Sequence, residues 1–153
     1  ALDDPAQKAR WHDVSVDSVW RRYFEVWCQA ASCTDMPFTC MAHPDLVKKF
    51  GYRPSFNPQP LYDEAAEAVQ SSGRMVEVNT SGLTYACAEL FPAPDLLRTF
   101  CRAGIPCSIG TDAHDPAVVN RNLMPGLAAM YEAGYRCVTV PTSTGDRRQI
   151  ALE

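Results

Sequence analysis

The chain has no surplus of basic residues, no long apolar run, no Cys-x-x-Cys pair and only three histidines. Each shortage narrows the reading. Fourteen Lys and Arg stand against eighteen Asp and Glu, with a formal charge of -4 and a pI of about 5.3. Phosphate backbones are normally met by a basic face, so this balance argues against nucleic acid as a partner. No apolar stretch approaches the ~20 residues of a membrane span. The first ten residues carry no hydrophobic signal region and no initiator Met, so residues are expected to be missing upstream. The Gly-x-Gly-x-x-Gly, Walker and Gly-x-Ser-x-Gly patterns are also absent, and with them the commonest nucleotide and serine-hydrolase signatures. The seven cysteines are odd in number and sit mostly in apolar contexts. They are expected as buried free thiols, which predicts a reducing, cytoplasmic setting.

What is present fits one domain: 153 residues, of which 46% are hydrophobic. Residues 1–15 read as polar and irregular. Val19, Trp20, Tyr23, Phe24, Trp27 and Ala30 recur at spacings of three and four, which predicts a helix over 16–31 with an aromatic core face. Strands are expected over 38–42, 75–78, 105–109 and 135–140. Helices are expected over 61–72 and 95–103, stopped by Gly73 and Gly104. A further helical stretch, 117–131, contains Pro125 and should kink or split there. The tail from 141 to 153 reads as charged and turn-like. Predicted strand starts fall about 30 to 37 residues apart, the size of a βαβ unit. Such alternation implies α/β architecture with a parallel sheet, doubly wound or barrel-like; four such strands make about half of a barrel, while an open four-stranded sheet would leave long bare edges.

The polar candidates gather at predicted strand ends: His43, Asn79, Asp112 and His114. Parallel strands open their C-terminal ends onto one face, where barrel enzymes place their sites. Imidazole and carboxylate are the ligands of borderline and hard divalent ions. Each residue has a plainer reading as well. His43 before Pro44 caps a strand, and Asp112 caps the helix after it. Glu77, inside a strand, reads equally as a buried structural acid or a site acid. Lys48 and Lys49 read as surface lysines, or as cations facing an anionic substrate in the loop after His43. His12 reads as exposed or structural. Ser81 carries no feature that marks it as a nucleophile.

Four segments in order are more specific: Ala42-His-Pro-Asp-Leu-Val-Lys-Lys-Phe-Gly51, Glu77-Val-Asn-Thr-Ser-Gly-Leu83, Glu89-Leu-Phe-Pro92 and Gly110-Thr-Asp-Ala-His114. Together with Trp20-Arg-Arg-Tyr-Phe24 they resemble the PHP-family histidinol-phosphate phosphatases, named for polymerase and histidinol phosphatase. The resemblance covers nearly the whole chain. It implies that residues 1–153 are the C-terminal part of a distorted (β/α)7 barrel with up to three divalent ions, Zn, Mn or Fe. It assigns His43, Asp112 and His114 to the metals, with Asp112 and His114 also catalytic. Lys49 and Asn79 fall to the substrate, Lys49 on its phosphate. The implied reaction is metal-dependent phosphomonoester hydrolysis, L-histidinol phosphate to L-histidinol and phosphate, on a small phosphorylated substrate. The alternatives are another PHP phosphoesterase, or a non-catalytic half-domain that assembles with a partner. The family's early His-x-His, bridging Glu and a further His have no counterpart here. The resemblance therefore implies a missing N-terminal half, supplied upstream or by a second chain, or a homo-oligomer.

Overall fold

The computed structural model describes residues 4–153. A 3-10 segment, Pro5–Asp13, comes first, with the Asp4 side chain accepting from the Ala6 N–H at 2.9 Å. The opening stretch is therefore ordered locally. Trp11 is buried and stacks on Tyr52 at 4.6 Å between ring centroids, while His12 is exposed. Helix α1, Val16–Ser32, starts at Ser15, whose hydroxyl accepts from the Ser18 N–H. It buries Trp20, Phe24, Trp27 and Ala31, the face expected from their spacing. Each such aromatic burial contributes roughly 1.5–3 kcal/mol.

A short strand β1, Cys40–Met41, follows, then helix α2, Gln59–Ser72, and strand β2, Met75–Asn79. Gly73 closes α2 in the left-handed conformation at φ 66°, which glycine adopts without a Cβ clash. Helix α3, Pro94–Arg102, leads to strand β3, Cys107–Gly110. These three strands form one parallel sheet in the order β1-β2-β3. The register sets Met41 beside Val76, Val76 beside Cys107 and Asn79 beside Gly110. All three C-terminal ends therefore open on one side. Val76, Val78 and Cys107 are fully buried, with Leu96 and Phe100 of α3 and Ala65 and Val69 of α2 in the same core.

The chain departs from the expected pattern in its last third. The helical stretch splits into a 3-10 turn, Pro116–Val118, and helix α4, Leu123–Ala133. Pro125 lies in the first turn of α4, where its missing N–H breaks no helical bond. Strand β4, Cys137–Pro141, does not extend the parallel sheet. It pairs antiparallel with β5, Arg147–Ala151, in a separate hairpin. The tail expected to be turn-like is thus a strand. Thr142 N donates to the Asp146 carbonyl across the turn, and Gly145 takes φ 85° there. Every residue of β5 is exposed, so no alternation of apolar and polar residues marks it in the sequence. All seven cysteines are free thiols. Burial pushes Cys28 up to about 11 and Cys40 up to about 12. Among the described residues no helix is long and apolar enough to cross a membrane.

Candidate active site

The strand ends are tied together by a residue whose role the sequence left open. Glu77 sits on β2, half-buried, on the same face as Asn79. Its Oε2 accepts from the His43 backbone N–H at 3.3 Å and from Asn79 Nδ2 at 3.0 Å. Its Oε1 occupies the space a Cβ would need on Gly110. One carboxylate therefore touches the ends of β1, β2 and β3. The signal in the sequence was an acid inside an apolar strand, two residues before Asn79.

Beyond β3 the chain turns sharply. Asp112 has φ 53°, and His43 at the end of β1 has φ 34°. Both are non-glycine residues in the left-handed region, which is disfavoured for L-residues and concentrated at functional sites. His114 Nδ1 lies 2.8 Å from the Asp112 carbonyl, so this bond holds the ring back over its own turn. Asp112 and His114 line an open depression of about 270 Å³ together with Ser81, Thr84, Tyr85 and Arg121. Arg121 is exposed, and its carbonyl accepts from Thr80 Oγ1 at 2.7 Å, which anchors the loop that carries it. No sequence motif pointed to Arg121.

The other candidates fall as follows. Asn79 is 2% exposed and its amide is engaged within the protein. Nδ2 donates to Glu77, while Oδ1 accepts from the Ser81 N–H at 3.0 Å and the Ser81 hydroxyl at 2.6 Å. Asn79 thus shapes the 3-10 turn Thr80–Thr84 beside the depression. Lys48 is not the surface lysine expected. It is fully buried, with Nζ 2.7 Å from Asp45 Oδ2, 2.7 Å from Glu89 Oε2 and 2.7 Å from the Leu90 carbonyl. Its charge is consumed by these partners, as burial of an ammonium requires. Lys49 is half-buried, and its ammonium lies 4.5 Å from the centre of the ring of Tyr85, which itself lines the depression.

Imidazole and carboxylate donors at His43, Asp112 and His114 suit a divalent ion in kind. In number they fall short, because among the described residues no three His, Cys, Asp or Glu are gathered closely enough to hold one.

A parallel α/β sheet with polar groups and strained turns at its strand ends defines the class: an α/β protein with a strand-end site. No family model matches the chain. A curated protein of Deinococcus radiodurans, named "Probable histidinol-phosphatase", is 32% identical over 139 residues, covering 90% of this chain and 52% of that protein. The crystal structure of the "putative histidinol phosphatase hisK" of Listeria monocytogenes shares the fold at a TM-score of 0.67 and 20% identity. That match covers 72% of this chain and 44% of the other. The first likeness is in sequence, to a protein named a probable histidinol-phosphatase; the second, at 20% identity, is a likeness of fold. The chain spans about half the length of the curated relative it matches.

Proposed function

We propose that this chain is the C-terminal part of a PHP-type barrel, and that the completed site hydrolyses a phosphomonoester with L-histidinol phosphate as the favoured substrate. The observation that carries the reading is the depression where Asp112 and His114, on a strained turn after β3, face Ser81, Thr84, Tyr85 and Arg121. Supporting it, the two similar proteins are described as a "Probable histidinol-phosphatase" and a "putative histidinol phosphatase".

In this reading His43, Asp112 and His114 contribute to the ligands of divalent ions, Zn, Mn or Fe. A further segment, in a longer form of the chain or in a second polypeptide, completes the set. When bound, such ions supply positive charge to phosphate oxygens and make water a better nucleophile at neutral pH. The chain's own residues do the rest. Arg121 and Lys49 face the phosphate with charge-assisted hydrogen bonds, Arg121 with the bidentate fork that suits it. Ser81 and Thr84 give their hydroxyl protons to Asn79 Oδ1 and the Ser81 carbonyl, and so hold the wall of the depression in shape. His114, whose Nδ1 is engaged with the Asp112 carbonyl, would pass a proton from its other ring nitrogen to the departing alkoxide.

The test is phosphate release from L-histidinol phosphate with Mn²⁺ or Zn²⁺, by the chain alone and with an added segment carrying the early His-x-His. Turnover should appear with the segment and should exceed that on nucleotide and sugar phosphates. Arg121→Ala should raise KM about tenfold, with Arg121→Lys between. No release in either arm, or release from every phosphomonoester except histidinol phosphate, would overturn the reading.

A further inference from the structure

We infer that Glu77 is a positioning residue, whose carboxylate sets His43 and the turn from Gly110 to His114 in fixed relation to each other. This rests on reading those strand ends as the active site. Its grounds are three contacts from one side chain. Oε2 receives the His43 N–H at 3.3 Å and Asn79 Nδ2 at 3.0 Å, while Oε1 fills the position of a Cβ on Gly110.

Each contact acts on a different strand end. The first holds the backbone of His43, which sits at the unfavourable φ of 34° and needs its surroundings to keep it there. The second fixes the side-chain amide of Asn79, so that Oδ1 is turned toward Ser81 N and Oγ. The third explains Gly110. Any side chain there would push the carboxylate aside, so close approach rather than backbone freedom demands glycine. Beyond Gly110 the chain runs directly into Thr111, Asp112 and His114. A displaced carboxylate would release His43 and shift the start of that turn at the same time. Valine or leucine in place of Glu77 would fill the strand but leave two donors without an acceptor.

The structure also supplies its own control. If Gly110 matters because of Glu77, then Gly110→Ala should be damaging in the wild type and nearly silent once Glu77 is alanine. The experiment is this double-mutant cycle, with three readouts. In the metal-free chain, amide chemical shifts of His43 and residues 110–114 should move together in Glu77→Ala and in Gly110→Ala. Mn²⁺ affinity and kcat, measured on the completed enzyme, should fall about tenfold to a hundredfold in both, the range seen for groups that orient ligands. KM should change little. Glu77→Gln, which keeps an acceptor oxygen, should recover most of the loss. Adding Gly110→Ala to Glu77→Ala should cost less than about a further twofold.

Gly110→Ala that is equally damaging in both backgrounds overturns the inference. So does Glu77→Ala that lowers the melting temperature and leaves the amide shifts, Mn²⁺ affinity and kcat unchanged. If Glu77→Ala does not fold, the pair Gly110→Ala and Glu77→Gln still decides, since only the first displaces the carboxylate. Coupled amide shifts in a chain that releases no phosphate from any substrate would support the positioning role and remove the phosphatase reading.

Discussion

At Asp112 the backbone is held at φ 53° and the side chain is exposed. The left-handed conformation costs an L-residue roughly 1–2 kcal/mol, though Asp and Asn tolerate it better than most. Nothing in the local packing requires a carboxylate there, which is why its cost points to chemistry. Asp112→Asn keeps shape and backbone preference and removes the charge. Its stability should stay within about 0.5 kcal/mol of wild type by chemical denaturation. Phosphate release should fall by about 10² or more, the scale of a lost catalytic group. Equal loss of stability and activity would make the role of Asp112 structural instead; the cap of the following turn is Asp115, whose Oδ1 accepts from the Ala117 N–H at 2.9 Å. At this scale the position of His43, Asp112 and His114 just beyond strand ends was legible, because residue type and strand pattern are both visible in one dimension. Residue type did not separate Lys48 from Lys49, and only the family resemblance singled out Lys49. Adjacent lysines in one loop look alike until the fold points one at Asp45 and Glu89 and the other at Tyr85.

Among the elements, the junction of α1 and β2 depends on Arg74, which is 8% exposed. Its guanidinium donates to the carbonyls of Ala30 at 3.1 Å, Met36 at 3.1 Å and Phe38 at 3.2 Å, and also to those of Ala31 and Cys33. It stacks 3.9 Å from the centre of the Phe38 ring. The helix has no basic residue in its last turn, so this distant cation serves its free carbonyls and the negative end of its dipole. Arg74→Ala would leave several buried acceptors without donors. It should destabilise the protein by about 2–4 kcal/mol, read as a lower denaturation midpoint. Arg74→Lys should recover only part, because an ammonium cannot reach so many carbonyls in one plane. Helices α1 to α3 were legible from periodicity and their stops. The hairpin of β4 and β5 was not, because an exposed edge strand needs no apolar face, and Arg147-Arg148-Gln149 therefore reads as a charged tail.

Across the whole molecule, a charge network joins the loop after β1 to the segment before α3. Glu89 Oε2 accepts from Lys48 Nζ at 2.7 Å and from Arg53 Nη2 at 3.0 Å. Burial alone would raise the Glu89 carboxyl, but Lys48 and Arg53 together outweigh it and hold the group below its ordinary 4.5. A depressed folded-state value means the contribution is complete above the unfolded value and disappears as pH falls through the folded one. Asp45 has the opposite sign: burial pushes it up against the pull of Lys48, so it favours the folded state less as pH rises through its folded value. Glu89→Gln should lower stability at neutral pH and remove the loss that Glu89 supplies in acid, so the melting temperature of the variant should fall less steeply below about pH 4.5 than that of the wild type. An unchanged acid limb in Glu89→Gln would assign the acid sensitivity to other carboxylates.

The sequence by itself determined the α/β alternation, the buried stripe of α1, the glycine stops of α2 and α3, and the strand-end placement of His43, Asp112 and His114. These follow from periodicity and residue type within one element, which neighbours along the chain reveal. The tertiary structure decided that the parallel sheet has three strands, that Lys48 is buried, that Arg121 lines the depression, and that Glu77 gathers three strand ends. In those cases the partners lie far apart in the chain. Glu77 meets His43 across 34 residues and Lys48 meets Glu89 across 41. Whether a charged side chain ends in water or in an ion pair depends on what the fold brings to it. That is a matter of desolvation against pairing, and the separation in sequence conceals it.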